Sequence, residues 1–324
     1  MNKNIYSLFL LLLVVFSSCS DQLHNPVVFG FTATSDSSSV SGDTLIVKKS
    51  IPVNFTFSGN AGIITFYSGE AGHEYFKRYL TQTPVTDIDS CYLSFTNQPQ
   101  FGNIPGTLKV YLSTTFPGLN LKTKSTDSTA VMSENWINLS DSCNLSTTNN
   151  IQNKSKILLR SYVNSKITFA FHYKTADNTA IQPTWQIGNL KVIVRDKEGR
   201  VTYLSANDLG FCALNLFSTT NPYSVAGGAG VWDLTNVASA SSVMKIVFSS
   251  AGAPLNDDWL ISTPMIVTKR TPDTGFFVRS VATSVSSYQY SFKTPGVYTI
   301  GFQAINRNFE YTSEAGQTKI IKVQ

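Results

Sequence analysis

The stretch from Ile51 to Glu70, IPVNFTFSGNAGIITFYSGE, limits the fold more than any other part of the chain. Ile51, Val53, Phe55 and Phe57 alternate with Pro52, Asn54, Thr56 and Ser58, the period of a strand with one buried face. Ser58-Gly59-Asn60-Ala61-Gly62 is a turn signal, and Ile63 to Tyr67 is a second β-branched and aromatic run. The pattern predicts a hairpin of an immunoglobulin-like sandwich whose remaining strands come from the far end of the chain.

The alternation recurs. Val27 to Thr34 reads as a first strand. Cys91, Leu93 and Phe95 alternate, as do Leu108, Val110 and Leu112, and then Ile167, Phe169, Phe171 and Tyr173. In PTWQIGNLKVIV, Trp185 and Ile187 share one phase and Leu190, Val192 and Val194 the other, so a β-bulge is expected at Gly188-Asn189. Val243 to Phe248 and Trp259 to Val267 complete a set of many strands without a helical period, which predicts an antiparallel jelly-roll sandwich. Tyr288, Tyr290 and Phe292 alternate again, followed by Tyr298, Ile300, Phe302 and Ala304. Between them Thr294-Pro295-Gly296-Val297 places Pro and Gly at the centre of an expected type II turn. Neither end of the chain holds enough strands for a sandwich alone. The two ends are therefore expected to form one module, split by the jelly roll, because insertion into a surface loop is tolerated when its ends lie close. Three small domains in a row are the alternative.

Residues 1–18 read as a targeting segment. Lys3 is a positive n-region, and Leu8 to Phe16 is an apolar run too short for a permanent span. Phe-Ser-Ser-Cys at positions 16 to 19 resembles the bacterial lipobox, which implies cleavage before Cys19 and acylation there. An ordinary secretory signal with an incidental cysteine is the other reading. Polar residues 19–26 then form a tether. The net charge of +5 is spread along 324 residues with no basic block, so nucleic acid is not an expected partner. Cys91, Cys143 and Cys212 have no zinc or redox spacing, and being three they form at most one disulfide.

YQYSFKTPGVYTI resembles the late strands of PKD-type immunoglobulin-like domains. FSGNAGIITFYSGEAGHEY, KITFAFHYKTADNTAIQPTWQIGNLKV, DDWLIST and TPDTGFFVRSV, in that order, resemble Bacteroidetes surface lipoproteins carrying a domain of unknown function. ITFAFHYKT…TWQIGNL and NDDWLIST are also similar to jelly-roll modules of secreted adhesin-like proteins. The resemblance implies an all-β chain, an immunoglobulin/PKD-like sandwich with an inserted antiparallel jelly-roll domain. The expected parts are a lipoprotein signal at 1–18, the tether at 19–26, PKD-like segments at 27–80 and 276–324, and the jelly roll at 81–275. It further implies an outer-membrane, surface-exposed lipoprotein near a SusC/SusD-type importer, binding an extracellular ligand, above all a glycan. Adhesion or scaffolding on protein partners is the alternative, with hydrolysis a distant third.

Catalytic residues are not expected. The histidines are His24, His73 and His172, and neither His-Glu-x-x-His nor Gly-x-Ser-x-Gly occurs. Asp257 and Asp258, as strand neighbours, point to opposite faces and make a poor glycosidase pair. No cofactor is expected, although a structural calcium could use Asp87, Asp89 or Asp177, which read equally as turn acids. Sugar faces stack on flat rings, so loop-borne aromatics are the expected contacts. Trp232 after Gly227-Gly228-Ala229-Gly230, Tyr223, and Trp136 in SENWINLS are the candidate ligand-binding residues, whereas Trp185 and Trp259 are expected in the core.

Overall fold

The computed structural model describes residues 25–36, 38–102, 105–240 and 242–324. The targeting segment, Cys19 and His24 lie outside the described residues. The alternating runs become strands. The chain opens with β1 (Phe29–Ser35), β2 (Ser39–Ser41), β3 (Thr44–Val47), β4 (Val53–Gly59) and β5 (Ile63–Tyr67). Its middle carries β6 (Ile88–Gln100), β7 (Leu108–Ser113), helix α1 (Lys124–Ser133), β8 (Ile137–Asn138), β9 (Asn153–Leu158), β10 (Thr168–Lys174) and β11 (Thr184–Asp196). There follow β12 (Val201–Ser205), the single turn α2 (Ala206–Leu209), β13 (Cys212–Asn215), β14 (Trp232–Asn236), β15 (Val243–Ile246) and β16 (Asp257–Ile261). The end holds β17 (Phe276–Arg279), β18 (Ser287–Tyr290), β19 (Gly296–Arg307) and β20 (Thr312–Val323). The architecture is an all-β sandwich built twice. One compact unit takes the chain up to Thr81 and again from Thr271, and the other takes Gln82–Arg270.

In the first unit a three-stranded sheet, β1-β4-β18, faces a six-stranded one, β17-β5-β19-β20-β3-β2. All pairs are antiparallel except β3 with β20. Val53 and Phe55 point inward from one sheet and Ile64, Phe66, Ile300 and Phe302 from the other, all fully buried. Thus both ends of the chain supply one apolar interior. The expected hairpin at 51–70 is corrected, because β4 pairs with β1 and β18 whereas β5 pairs with β17 and β19. The residues between them arch from sheet to sheet. The Asn60 side chain accepts from Val28 N (2.7 Å) and donates to the Pro26 carbonyl (3.1 Å), and Gly62 N donates to Asn306 Oδ1 (2.7 Å). Those bonds hold the linker across the end of the sandwich. Likewise β18 and β19 lie in opposite sheets, and Gly296 opens β19 without the positive φ that a type II turn needs.

In the second unit the sheets are β13-β16-β10-β7-β8 and β14-β15-β11-β6-β9, with β12 beside β11. Their inner faces bury Leu93, Phe95, Val110, Phe169, Phe171, Trp185, Ile187, Val192 and Leu260. The slip at Gly188-Asn189 is a real irregularity: the β6–β11 register shifts between Gly188 and Lys191, and Asn189 has φ 52°. Cys91, Cys143 and Cys212 are free thiols, and burial pushes Cys91 up to about 11 and Cys143 up to about 12. They pack as small apolar groups.

Candidate functional site

The sequence Asp257-Asp258-Trp259 on β16 sends alternate side chains to opposite faces of its sheet. Asp257 and Trp259 face outward. Asp257 Oδ1 meets His172 Nε2 at 2.7 Å and its Oδ2 meets Lys174 Nζ at 2.7 Å. Burial pushes the Asp257 carboxyl up, and the bonds from His172 and Lys174 outweigh it, so the group stays below its ordinary range. The His172 ring stacks on Trp259 with centroids 4.0 Å apart.

Asp258 faces the interior of the second unit and is 1% exposed. It lines a cavity of about 330 Å³ together with Ala213, Asn215, Thr220, Asn221, Ser224 and Trp232, among others. The cavity sits where β13 and β14, the edge strands of the two sheets, are joined by the 216–231 connection. Two polar atoms in its lining residues are buried without a hydrogen-bond partner, Asp258 Oδ2 and Trp232 Nε1. Leaving a buried polar atom unpaired costs about 1–3 kcal/mol, and here two such atoms belong to the lining of one cavity, where a single polar molecule would satisfy both. Burial, reinforced by the Asp257 charge, raises the Asp258 carboxyl to about 8 against an opposing hydrogen bond from Asn215. At neutral pH the group is therefore mostly a carboxylic acid, able to donate as well as accept.

The connection over the cavity is held firmly. Lys124 Nζ at the start of α1 donates to the carbonyls of Leu216 (2.7 Å) and Ser218 (2.6 Å). Asn215 Oδ1 accepts from Phe217 N and Ser218 N. Tyr223 donates to Asp127 Oδ2 at 2.7 Å, and burial with this carboxylate raises its phenol to about 12. Asp127 also accepts from Asn120 N and Leu121 N, so one buried carboxylate ties together the turn before α1, the helix and the cavity's cover. Gly230 has φ +67°, and a Cβ there would meet Asn256 Oδ1 at 2.1 Å, so only glycine lets the connection close onto β16's approach.

The expected aromatic platforms are corrected by this geometry. Trp232 is not an exposed loop residue: it opens β14, pairs opposite Ile246 and is 1% exposed within the core. Its ring packs the interior, and what remains for a ligand is its indole N–H. Trp136 donates Nε1 to the Val131 carbonyl (2.9 Å) and packs on Phe116 and Trp259, so it closes the end of α1 against the outer face of the sheet. Tyr223 braces the connection and is half-buried. In the sequence Asp258 stands beside Asp257 and reads only as half of an unsuitable glycosidase pair. The apolar neighbours Trp259, Leu260 and Ile261 are the signal that β16 is buried on both faces, and such a strand cannot carry an acid inward without a reason.

Of the calcium candidates, Asp87 and Asp89 stand at the start of β6 and Asp177 after β10, near the opposite ends of the thirteen-residue strands β6 and β11. Asp177 Oδ1 is taken by Thr179. Among the described residues no group of three or more His, Cys, Asp and Glu side chains is placed to hold a metal ion. Glu70 accepts from Ser68 and Tyr290, and His73 bonds the Thr274 carbonyl, so both are structural ties in the first unit.

A family model described as a domain of unknown function (DUF5017) matches residues 28–211. The chain belongs to the DUF5017 family. The matched stretch takes in the opening strands of the first unit and the second unit as far as Phe211. Every residue lining the Asp258 cavity lies beyond it, in the family member's own C-terminal portion. No curated protein matches the chain.

Proposed function

We propose that this protein is a lipid-anchored component of the outer membrane, facing the medium, that binds an extracellular glycan in the Asp258 cavity and holds it near a SusC/SusD-type importer. The cavity carries the reading. Its volume of about 330 Å³ suits one end of a small ligand. The lining offers amide and hydroxyl groups from Ser218, Thr220, Asn221 and Ser224, a carboxyl that is mostly neutral, and an unpaired indole N–H. It contains no Lys, Arg or His to match a phosphate or carboxylate. Paired with apolar Ala213 and Val231, that inventory fits an uncharged, hydroxyl-rich ring.

The geometry favours binding over hydrolysis. A glycosidase places two carboxyl groups in one cleft, and this cavity supplies Asp258 alone, with Asp257 on the opposite face of the strand. An adhesion or scaffolding role on a protein partner is the second reading, favoured by Phe76 and Tyr79, which stand exposed on either side of Arg78 in the first unit. Electrophoresis of the mature protein through gels containing starch, xylan, mannan or β-glucan separates the two. Retardation by at least one polysaccharide is expected, lost in a Thr220→Ala/Asn221→Ala variant that changes only exposed lining residues. Retardation by none of them, or retention undiminished in the variant, would overturn the glycan reading of this cavity.

A further inference from the structure

One end of the first unit carries apolar side chains on which none of the described residues packs. The β19–β20 hairpin extends past its last pairing with β5, Ile305 opposite Ile63, through Arg307 opposite Thr312 to a turn at 308–311. The turn is rigid: Asn308 N donates to the Tyr311 carbonyl, and Asn308 Oδ1 accepts from Glu310 N (2.9 Å) and Tyr311 N (2.6 Å). Phe309 at its tip is 104% exposed, so its ring touches no other part of the fold. Val28, 65% exposed, belongs to the same end, since it exchanges hydrogen bonds with Asn60 in the β4–β5 arch.

The chain also enters the described structure at this end. Asn306 Nδ2 donates to the Asn25 carbonyl (3.3 Å), and Val27 N donates to Ser313 Oγ (3.0 Å), so the first described residues lie along the base of the hairpin tip. Only the five residues 20–24 separate Asn25 from Cys19. Six Cα–Cα steps span at most about 20 Å, whatever their conformation. A lipid on Cys19 would therefore hold this end, rather than any other face of the unit, within that distance of the bilayer.

We infer that the Phe309 hairpin tip is a second membrane contact, inserting its ring into the interfacial region of the lipid surface that receives the Cys19 anchor. This rests on the lipid-anchor part of the proposed function. A rigid tip loses little entropy on insertion, and the exposed ring gains the burial that the fold does not give it. The tip carries one charge of each sign, Arg307 and Glu310, so the inserting element is the ring itself rather than an attraction to anionic headgroups. The contact would also fix the orientation of the protein on the membrane, which attachment at the single point Cys19 does not do.

The test uses the acylated full chain in vesicles of phosphatidylethanolamine and phosphatidylglycerol with brominated acyl chains. Tryptophan is placed at the tip (Phe309→Trp) or at the far end of the same hairpin (Val297→Trp, also exposed), and the wild-type emission is subtracted. Quenching of the tip probe at least about threefold stronger than of the Val297 probe is expected, because interfacial side chains sit about 5–10 Å deep. Equal quenching, or a tip probe shielded from iodide yet untouched by bromine as a protein contact would leave it, overturns the inference while the anchor stands. Intact mass without acyl chains, with a Cys19→Ala variant and the wild type both failing to bind vesicles, overturns the anchor reading and the tip assignment with it.

Discussion

The two units share an architecture and differ in how they finish their interiors. The first closes its core with rings: Phe302 lies 4.8–6.0 Å, centroid to centroid, from Phe29, Phe31, Phe55, Phe57 and Phe66. Beside that core the polar groups are wired to one another, Tyr67 to Gln303, Gln303 to Tyr79, and Tyr79 and Arg78 to Glu314. The second unit packs its sheets just as tightly but leaves one edge unfinished, with Asp258 and Trp232 each keeping an unpaired buried atom beside a cavity. Buried atoms without a partner occur in both units, Arg78 Nε and Arg279 Nε in the first among them, but at Asp258 and Trp232 two of them line one cavity. A fold tolerates such a cost where a ligand recovers it.

Deleting the ring at the centre of the first unit is the harshest challenge to that contrast. Phe302→Ala should destabilise the first unit by about 4 kcal/mol, read by urea unfolding, because a buried ring leaves a cavity its neighbours cannot fill. A loss under about 1 kcal/mol would show that the aromatic cluster is not what holds it.

The second unit should respond in the opposite direction. In the unfolded chain Asp258 titrates near about 4, and in the fold it titrates at about 8. Between those values the folded state holds the extra proton, so this group's contribution to stability falls as pH rises. Asp258→Asn should therefore stabilise the protein at pH 7.5, by up to about 4–5 kcal/mol, with the gain disappearing as pH approaches about 4. The same variant should weaken polysaccharide retention. Thermal unfolding across pH 4–8 checks the first statement and affinity electrophoresis the second.

Gly230→Ala tests the cover of the cavity. A Cβ there displaces Asn256 and sits at a positive φ, so a loss of about 1–3 kcal/mol and weaker ligand retention are expected together. The smallest effect belongs to Phe76→Ala, an exposed residue whose removal should shift stability by no more than about 0.5 kcal/mol, whereas Tyr79→Ala also strips a partner from Gln303 and Glu314 and should cost about 1–2 kcal/mol. If either abolished co-purification with an importer while leaving glycan retention intact, the two units would prove to divide the work.

Much of this was legible in the sequence, and the failures are instructive. Period-two alternation gave the strands, and the phase change at Gly188-Asn189 gave the bulge, because side-chain direction is a local property. The hairpins at 51–70 and 288–300 were misread because a short Gly- or Pro-containing linker looks the same whether it turns back within one sheet or arches to the opposing one. What decides is the Asn60 and Asn306 hydrogen bonding with residues far off in sequence. Trp232 was misread for a related reason: glycines before it suggested a loop, but the connection ends at Val231 and the ring enters the core. Asp258 could have been found from its place in the wholly buried run of β16. The cavity itself depends on two edge strands meeting across the sandwich, which no local pattern encodes.

The function proposed for this protein turns on a sugar entering the open edge of the second unit. The most direct test of that entry is a crystal structure of the mature protein soaked separately with glucose, mannose, galactose, xylose and N-acetylglucosamine. Density is expected for one of these rings in the cavity, with a hydroxyl hydrogen-bonded to the Asp258 carboxyl and an oxygen receiving the Trp232 N–H. Ordered water alone bridging those two atoms under every condition, or sugar bound only elsewhere on the surface, would contradict it.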